Sequence, residues 1–278
     1  MSTTRFGEHL AAGSFAVALE ITPPQRSLPK VLLRRAAFLG ELPTAINVIQ
    51  RPGRQSSLEA SCALKEAGLE PVWHLVTRGR EASSVAAELA VAREANVTQV
   101  LCILGDHSAE PAAKPLSVRD AVKMVASELP GALTGATLNQ YGEDQAAALR
   151  NLIPKLQAGA SYIQTQPVFE PDALEPFVER IRSDAPTAHL VGMVMPLLSA
   201  DAATKMEARL RIALPEALKR AIAESEESAW AAFEANVARI ARSGLFAGVA
   251  VMTFEMDPAP EVALRVTAAL QAARAGRL

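Results

Sequence analysis

With 278 residues, 50% hydrophobic and only 4% aromatic, the chain can bury a large core that must rest on Ala, Leu, Val and Ile. Lys and Arg number 28 against 30 Asp and Glu, a formal net charge of −2, and no basic stripe or like-charge block stands out, which argues against a nucleic-acid partner. Two cysteines, Cys62 and Cys102, are too few for a disulfide framework or a zinc site, and no apolar window approaches a membrane span.

Met1–Leu10 carries Arg5 and Glu8 and lacks the apolar centre of a secretory signal, so a cytoplasmic protein away from membranes is expected. A first strand is predicted over Ser14–Ile21, followed by a helix over Leu28–Gly40 and a strand over Ala45–Ile49. The alternation continues with Ser57–Ala67 and Pro71–Val76, Ala82–Ala95 and Gln99–Leu104, Ser117–Glu128 and Leu133–Leu138. Cys62 falls in one of these helices and Cys102 in one of these strands, and both read as small buried hydrophobes. Next come Glu143–Ala158 and Tyr162–Gln166, then Asp172–Asp184 and Leu190–Met195. Ala202–Ser243 is too long for one barrel helix, and Pro215 with the acidic patch Glu224–Ser228 divides it into about three pieces. Gly248–Met252 is the eighth strand and Pro260–Arg274 the last helix.

Ser117 and Asp172 read as helix N-caps, and Gly68 and Gly159 as helix terminators. Most strands are near-continuous in apolar residues, as parallel strands buried on both faces should be. The expected fold is α/β: a single (β/α)8 TIM barrel over residues 1–278, with extra helices between strands seven and eight. A doubly wound sheet is the rival, but the first βα turn lacks its GxGxxG fingerprint.

In such a barrel the chemistry belongs at the C-terminal strand ends. Glu20 is the least expected residue there, a carboxylate among Val17, Ala18, Leu19 and Ile21. Burial would raise its pKa and let it donate a proton near neutrality; the alternative is an ion pair that merely closes the barrel. Gln50, His74 and Gln166 stand at other strand ends, and Gly105 lets the backbone at Asp106 approach a ligand. Asp106 could instead cap a turn, and His74 could be a satisfied core histidine. No metal-binding spacing and no nucleophile motif is present, which suits chemistry carried by a cofactor.

Five motifs then fall in order along the eightfold pattern. They are Ala18-Leu19-Glu20-Ile21-Thr22-Pro23-Pro24, Trp73-His74-Leu75-Val76-Thr77 and Ile103-Leu104-Gly105-Asp106, then Lys155-Leu156-Gln157-Ala158-Gly159-Ala160 leading to Gln164-Thr165-Gln166-Pro167-Val168-Phe169, and Gly192-Met193-Val194-Met195-Pro196. Their order and spacing resemble the methylenetetrahydrofolate reductase family over nearly the whole chain.

The resemblance implies hydride transfer that interconverts 5,10-methylenetetrahydrofolate and 5-methyltetrahydrofolate, with NADH or NADPH and FAD as cofactors and tetrahydrofolate as the substrate scaffold. It implies Glu20 as general acid and Asp106 as the group facing the ring, where it stabilises developing positive charge. It places Gln166, Phe169 and Gln50 against the folate, and His74, Leu104, Gly105, Thr137, Asn151 and Lys155 at the cofactor. Departures concentrate in the FAD positions. Leu104 stands for the family's Arg, Thr137-Leu138-Asn139 for Tyr-Pro-Glu, Ala148 for Asp, and Pro154 for Arg. The family's Tyr-Thr-Leu-Asn after the last strand is Met252-Thr253-Phe254-Glu255. Hydride passage through FAD and direct passage from the nicotinamide are therefore both open. The alternatives are a non-redox folate or one-carbon binding barrel, or the partner of a methyltransferase; a homo-oligomer is left open.

Overall fold

The computed structural model describes residues 4–105, 114–142 and 144–277. Eight parallel strands close into a barrel in chain order, β1 pairing with both β2 and β8. They are β1 (Ala16–Ile21), β2 (Ala45–Val48), β3 (Pro71–Val76), β4 (Gln99–Ile103), β5 (Leu133–Thr137), β6 (Tyr162–Pro167), β7 (His189–Val194) and β8 (Gly248–Val251). The helices are α1 (Arg5–Ala12), α2 (Pro29–Ala36), α3 (Ser57–Glu66), α4 (Ala82–Glu94), α5 (Val118–Glu128), α6 (Gln145–Gln157), α7 (Glu175–Asp184), α8 (Ala200–Leu210), α9 (Glu216–Glu224), α10 (Glu226–Arg242) and α11 (Pro260–Ala275). No helix among the described residues is long and apolar enough to cross a membrane.

Side chains alternate between the two faces of a strand, and the packing separates accordingly. Ala16, Ala18, Ala45, Val72, Leu101, Leu133, Tyr162, Val191 and Ala250 form one cluster inside the barrel. Their neighbours Val17, Leu19, Ile46, Trp73, Leu75, Val100, Cys102, Ile163 and Val249 belong to the larger core between strands and helices. Covering both faces in this way is why the strands read as continuous apolar runs.

The interior cluster is closed at the N-terminal end by α1, which inserts Phe6 and Leu10. The Phe6 ring meets Tyr162 edge-on, with centroids 5.6 Å apart. Gly135 makes room for that tyrosine, since a Cβ there would lie 2.3 Å from its ring. Thr4 caps α1 and Gly13 ends it in the left-handed conformation at φ +66°. This helix was not among the predicted elements, because eight residues with two buried large apolar side chains hold too little of the 3.6-residue period.

Between β7 and β8 the chain forms three helices, α8, α9 and α10, as expected. The first two extend a third apolar cluster, containing Met193, Met195, Leu197, Met206 and Met252, over the C-terminal ends of the last strands. Ser117 caps α5 by accepting from the Asp120 N–H at 3.1 Å. Asp172 does not act as an N-cap: it lies within a 3-10 turn, Pro171–Leu174, and its carboxylate accepts from Arg239 at 3.0 Å. Proline at the first position preorganises that turn, which leaves the aspartate free to reach the neighbouring helix. Cys102 is buried, whereas Cys62 is only partly so, because it sits at the margin of the face that α3 turns to the barrel.

Candidate active site

The two-residue period that fills the barrel floor with alanine and large apolar rings brings different residues inward one step higher. After Ala16 and Ala18 comes Glu20; after Ala45 comes Asn47; after Val72 comes His74; and two residues beyond Tyr162 comes Gln164. Glu20 is 8% exposed, Asn47 1%, His74 5% and Gln164 2%. Four polar side chains thus form a buried layer on top of an apolar one.

Three of them are wired together. Asn47 Nδ2 donates to Gln164 Oε1 at 2.8 Å, and Gln164 Nε2 donates to Glu20 Oε2 at 3.0 Å. Glu20 and Asn47 are direct partners across β1 and β2, whereas Gln164 reaches them from β6 on the other side of the barrel. Loss of hydration raises the Glu20 pKa above the usual carboxylate range. The Gln164 hydrogen bond opposes this most, followed by the positive charge of Arg209, the Asn47 amide and the charge of Arg51. Glu20 is therefore a carboxyl group that gains a proton more readily than its exposed counterparts.

His74 is held neutral: burial pushes its imidazole down to about 3. Its backbone N–H donates to Ser57 Oγ at 3.1 Å, and its Nε2 has no partner among the described residues. Asn47 Oδ1 likewise makes no hydrogen bond.

A cavity of about 470 Å³ opens between the C-terminal ends of β8, β1 and β2, the end of α2 and the first turn of α11. Its wall includes Glu20, Phe38, Arg51, Met252 and Phe254. One side is braced by Asp257, which accepts from Arg34 Nη2 at 2.7 Å and from Arg35 Nε at 3.0 Å and Nη2. Arg35 also donates to the Thr22 carbonyl at 2.7 Å and is 8% exposed. The hydrogen bond from Arg35 holds the Asp257 carboxyl down at about 2.

The remaining candidates take separate positions at the same end of the barrel. Gln50 Oε1 accepts from the Ser57 N–H at 2.8 Å and so caps α3. Gln166 is held through its backbone, which exchanges two hydrogen bonds with the Gln140 amide at 3.0 and 2.9 Å. Phe169 packs against the methionine-rich third cluster. Lys155 donates to the Thr137 carbonyl at 2.7 Å, and burial lowers its pKa. Asn151 is exposed on α6, and Leu104 is 49% exposed. Gly105 has φ +88°, and a Cβ there would come within 2.6 Å of Val76 Cγ1, so glycine is required. Arg78 Nε donates to the Gly105 carbonyl at 2.7 Å. Asp106 lies outside the described residues.

Sequence reasoning passed over Asn47 and Gln164, although both occupy the same inward parity as Glu20. That parity was the available signal. Among the described residues no three His, Cys, Asp or Glu side chains gather as they would around a metal ion.

Similarity to known proteins bears on fold and family separately. Tryptophan synthase from M. tuberculosis superposes in its open form with a TM-score of 0.57 at 12% identity, covering 99% of this chain and 100% of that one. Its aminoacrylate-bound form gives 0.55 at 12% identity, with 98% of each chain covered. Phosphonopyruvate hydrolase in complex with oxalate and Mg gives 0.54 at 13% identity, covering 98% of this chain and 85% of that one. Such identities speak for the barrel alone. Comparison with curated proteins finds no match. The family described as methylenetetrahydrofolate reductase, by contrast, matches residues 5–259. With that match spanning the barrel from α1 to the loop before α11, the chain belongs to the methylenetetrahydrofolate reductase family.

Proposed function

We propose that this folate-related oxidoreductase interconverts 5,10-methylenetetrahydrofolate and 5-methyltetrahydrofolate, with NADH or NADPH as the hydride partner. The observation that carries the reading is Glu20: a buried carboxyl group with a raised pKa, lining a cavity at the mouth of the barrel. In the reductive direction the bond between N10 and the bridging carbon breaks, and its electron pair takes the Glu20 proton. The N5 iminium that remains accepts hydride at the bridging carbon and becomes the methyl group, while the nicotinamide is oxidised. Stacking the two rings face to face would bring donor and acceptor within about 3–3.5 Å. Glu20 is left as a carboxylate, which Gln164 Nε2 is placed to receive. Gln166 and Phe169 would orient the pterin, with Gln50 supporting the same rim. The family pattern puts Asp106 at the ring.

The residues at the FAD positions do not fit its diphosphate. Lys155 is turned inward to the Thr137 carbonyl and its charged form is disfavoured by burial. Leu104 and Ala148 bring no charge or hydrogen bond, and His74 is a neutral ring inside the barrel. A resident flavin needs a strong grip on that group, whereas a nicotinamide dinucleotide that leaves after every turnover needs only a KM in the range of about 1 μM to 1 mM. Direct hydride transfer is accordingly the route proposed.

The test is an anaerobic assay of NADH and NADPH oxidation with methylenetetrahydrofolate, beside an absorbance spectrum of the same preparation. Turnover without a flavin band is expected, and Glu20→Gln should lower turnover by about 10³-fold while folate still binds. Folate binding without any nicotinamide turnover would instead assign a non-redox folate-binding barrel.

A further inference from the structure

We infer that Asn47 and Gln164 are positioning residues, a pair of amides that turns over in step with the proton on Glu20 and holds that side chain in place in both of its states. The inference rests on the proposed role of Glu20 as the acid and adds the device that lets a buried acid cycle.

The observed wiring runs one way: Asn47 donates to Gln164, which donates to Glu20, and the Asn47 amide also favours the ionised Glu20 directly. An N–H pointed at a carboxyl oxygen serves the ionised form, so this arrangement suits Glu20 after it has given up its proton. A protonated Glu20 has an O–H of its own to place. The same atoms can serve it if the amides turn. Glu20 O–H then donates to Gln164 Oε1, and Gln164 Nε2 donates to Asn47 Oδ1. That oxygen makes no bond in the observed wiring, so turning Asn47 gives it a partner and moves the one unpartnered end from Oδ1 to Nδ2, leaving the number of unpartnered ends the same. Only an amide carries a donor and an acceptor at interchangeable ends, and two in series let the carboxyl group keep one buried partner in either state. Water is an inadequate substitute at residues 1% and 2% exposed.

Other charges also act on Glu20. Arg209 on α8 and Arg51 in the loop after β2 both favour its ionised form, and Arg34, Arg35, Glu255 and Asp257 line the same cavity. His74, in the same polar layer, is neutral. All of these groups are unchanged in the variants below, so differences between the variants report on the two amides.

The first measurement needs no substrate. Infrared difference spectra of the ligand-free protein between acid and alkaline pH should show the Glu20 carboxyl band, identified by its loss in Glu20→Gln, together with shifted side-chain amide carbonyl bands. The amide bands should vanish in Gln164→Met. The second measurement is the pH profile of turnover. The bond from Gln164 to the carboxylate is charge-assisted and the stronger of its two roles, so its loss in Gln164→Met should move the alkaline limb of kcat up by about one pH unit. KM should stay within about threefold. Asn47→Leu should move the limb in the same direction by less, and that shift should shrink in the Gln164→Met background, where only the direct effect of Asn47 on Glu20 remains.

An alkaline limb that stays where it was in both variants overturns the inference, as does an Asn47→Leu shift of equal size in both backgrounds. If Gln164→Met does not fold, the wild-type spectrum and Asn47→Leu decide the matter: a Glu20 band with no accompanying amide change refutes the relay. Coupled amide and carboxyl bands in a protein that fails to turn over folate would sink the proposed reaction and leave the relay standing.

Discussion

The two ends of the barrel are built on one plan and put to opposite uses. At the N-terminal end the inward positions are Ala16, Ala45 and Gly248, with Tyr162 and the Phe6 plug filling the space they leave. At the C-terminal end the inward positions are Glu20, Asn47, His74 and Gln164, and Glu20 lines a cavity where the other end has a plug. The lower end buries mainly apolar surface; its polar exceptions are Gln99, whose Nε2 donates to Glu70 Oε2 at 3.3 Å, and the Tyr162 hydroxyl, which has no partner among the described residues. The upper end holds polar groups out of water and leaves Asn47 Oδ1 and His74 Nε2 without partners among the described residues. Apolar packing thus dominates one end and buried polar groups the other, with an interior layer of Ala18, Leu101 and Ala250 between them.

That division can be broken from either side. The largest effect expected is on chemistry: Glu20→Gln should lower kcat by about 10³-fold, within the range for losing a general acid, with the melting temperature hardly moved. The converse is Phe6→Ala at the floor. It should cost about 3 kcal/mol in denaturant unfolding, while the protein that remains folded keeps its kcat. A loss of turnover per folded molecule would show the ends to be coupled.

A subtler probe is the pH dependence of stability. Because the folded state raises the Glu20 pKa, it binds that proton more tightly than the unfolded chain does. Stability attributable to this residue is therefore greatest below the unfolded carboxylate pKa and declines as pH rises through the raised value. The slope is at most about 1.4 kcal/mol per pH unit, and comparing wild type with Glu20→Gln by urea titration isolates it.

The smallest effect concerns the cavity's outer brace. Asp257 is held at about 2, so its contribution is present above the ordinary Asp range and lost as pH falls toward that value. The carboxylate is 42% exposed, so Asp257→Ala should cost only about 1 kcal/mol even though Arg35 is buried. A larger loss would mean that the brace holds up the mouth itself.

Most of the barrel was readable before any coordinates, for a physical reason. Strands buried on both faces are apolar without interruption, and each predicted strand falls within two residues of its observed bounds. Helix α1 escaped because its signal is two side chains, Phe6 and Leu10, whose importance depends on the Tyr162 ring more than 150 residues away. Glu20 stood out as a lone charge in an apolar run. Its partners did not, since Asn47 carries no charge and Gln164 was overshadowed by Gln166 in the same motif. The pairing of Glu20 with a side chain 144 residues further along is a property of barrel closure, which no local pattern encodes. The Gln50 helix cap was hidden similarly, as its polar end is used by the next element of its own chain segment.

The seam where β1 meets β8 has a consequence for how the protein matures. Arg35 and Asp257 stand 222 residues apart in the chain, and the pocket beside Glu20 has no second wall until they meet. Secondary structure can form early from local sequence, but ligand affinity must wait for the final strand to dock. During refolding, recovery of binding should therefore trail recovery of helical signal, and a nascent chain still lacking β8 is a nearly complete scaffold with no place to hold its ligand.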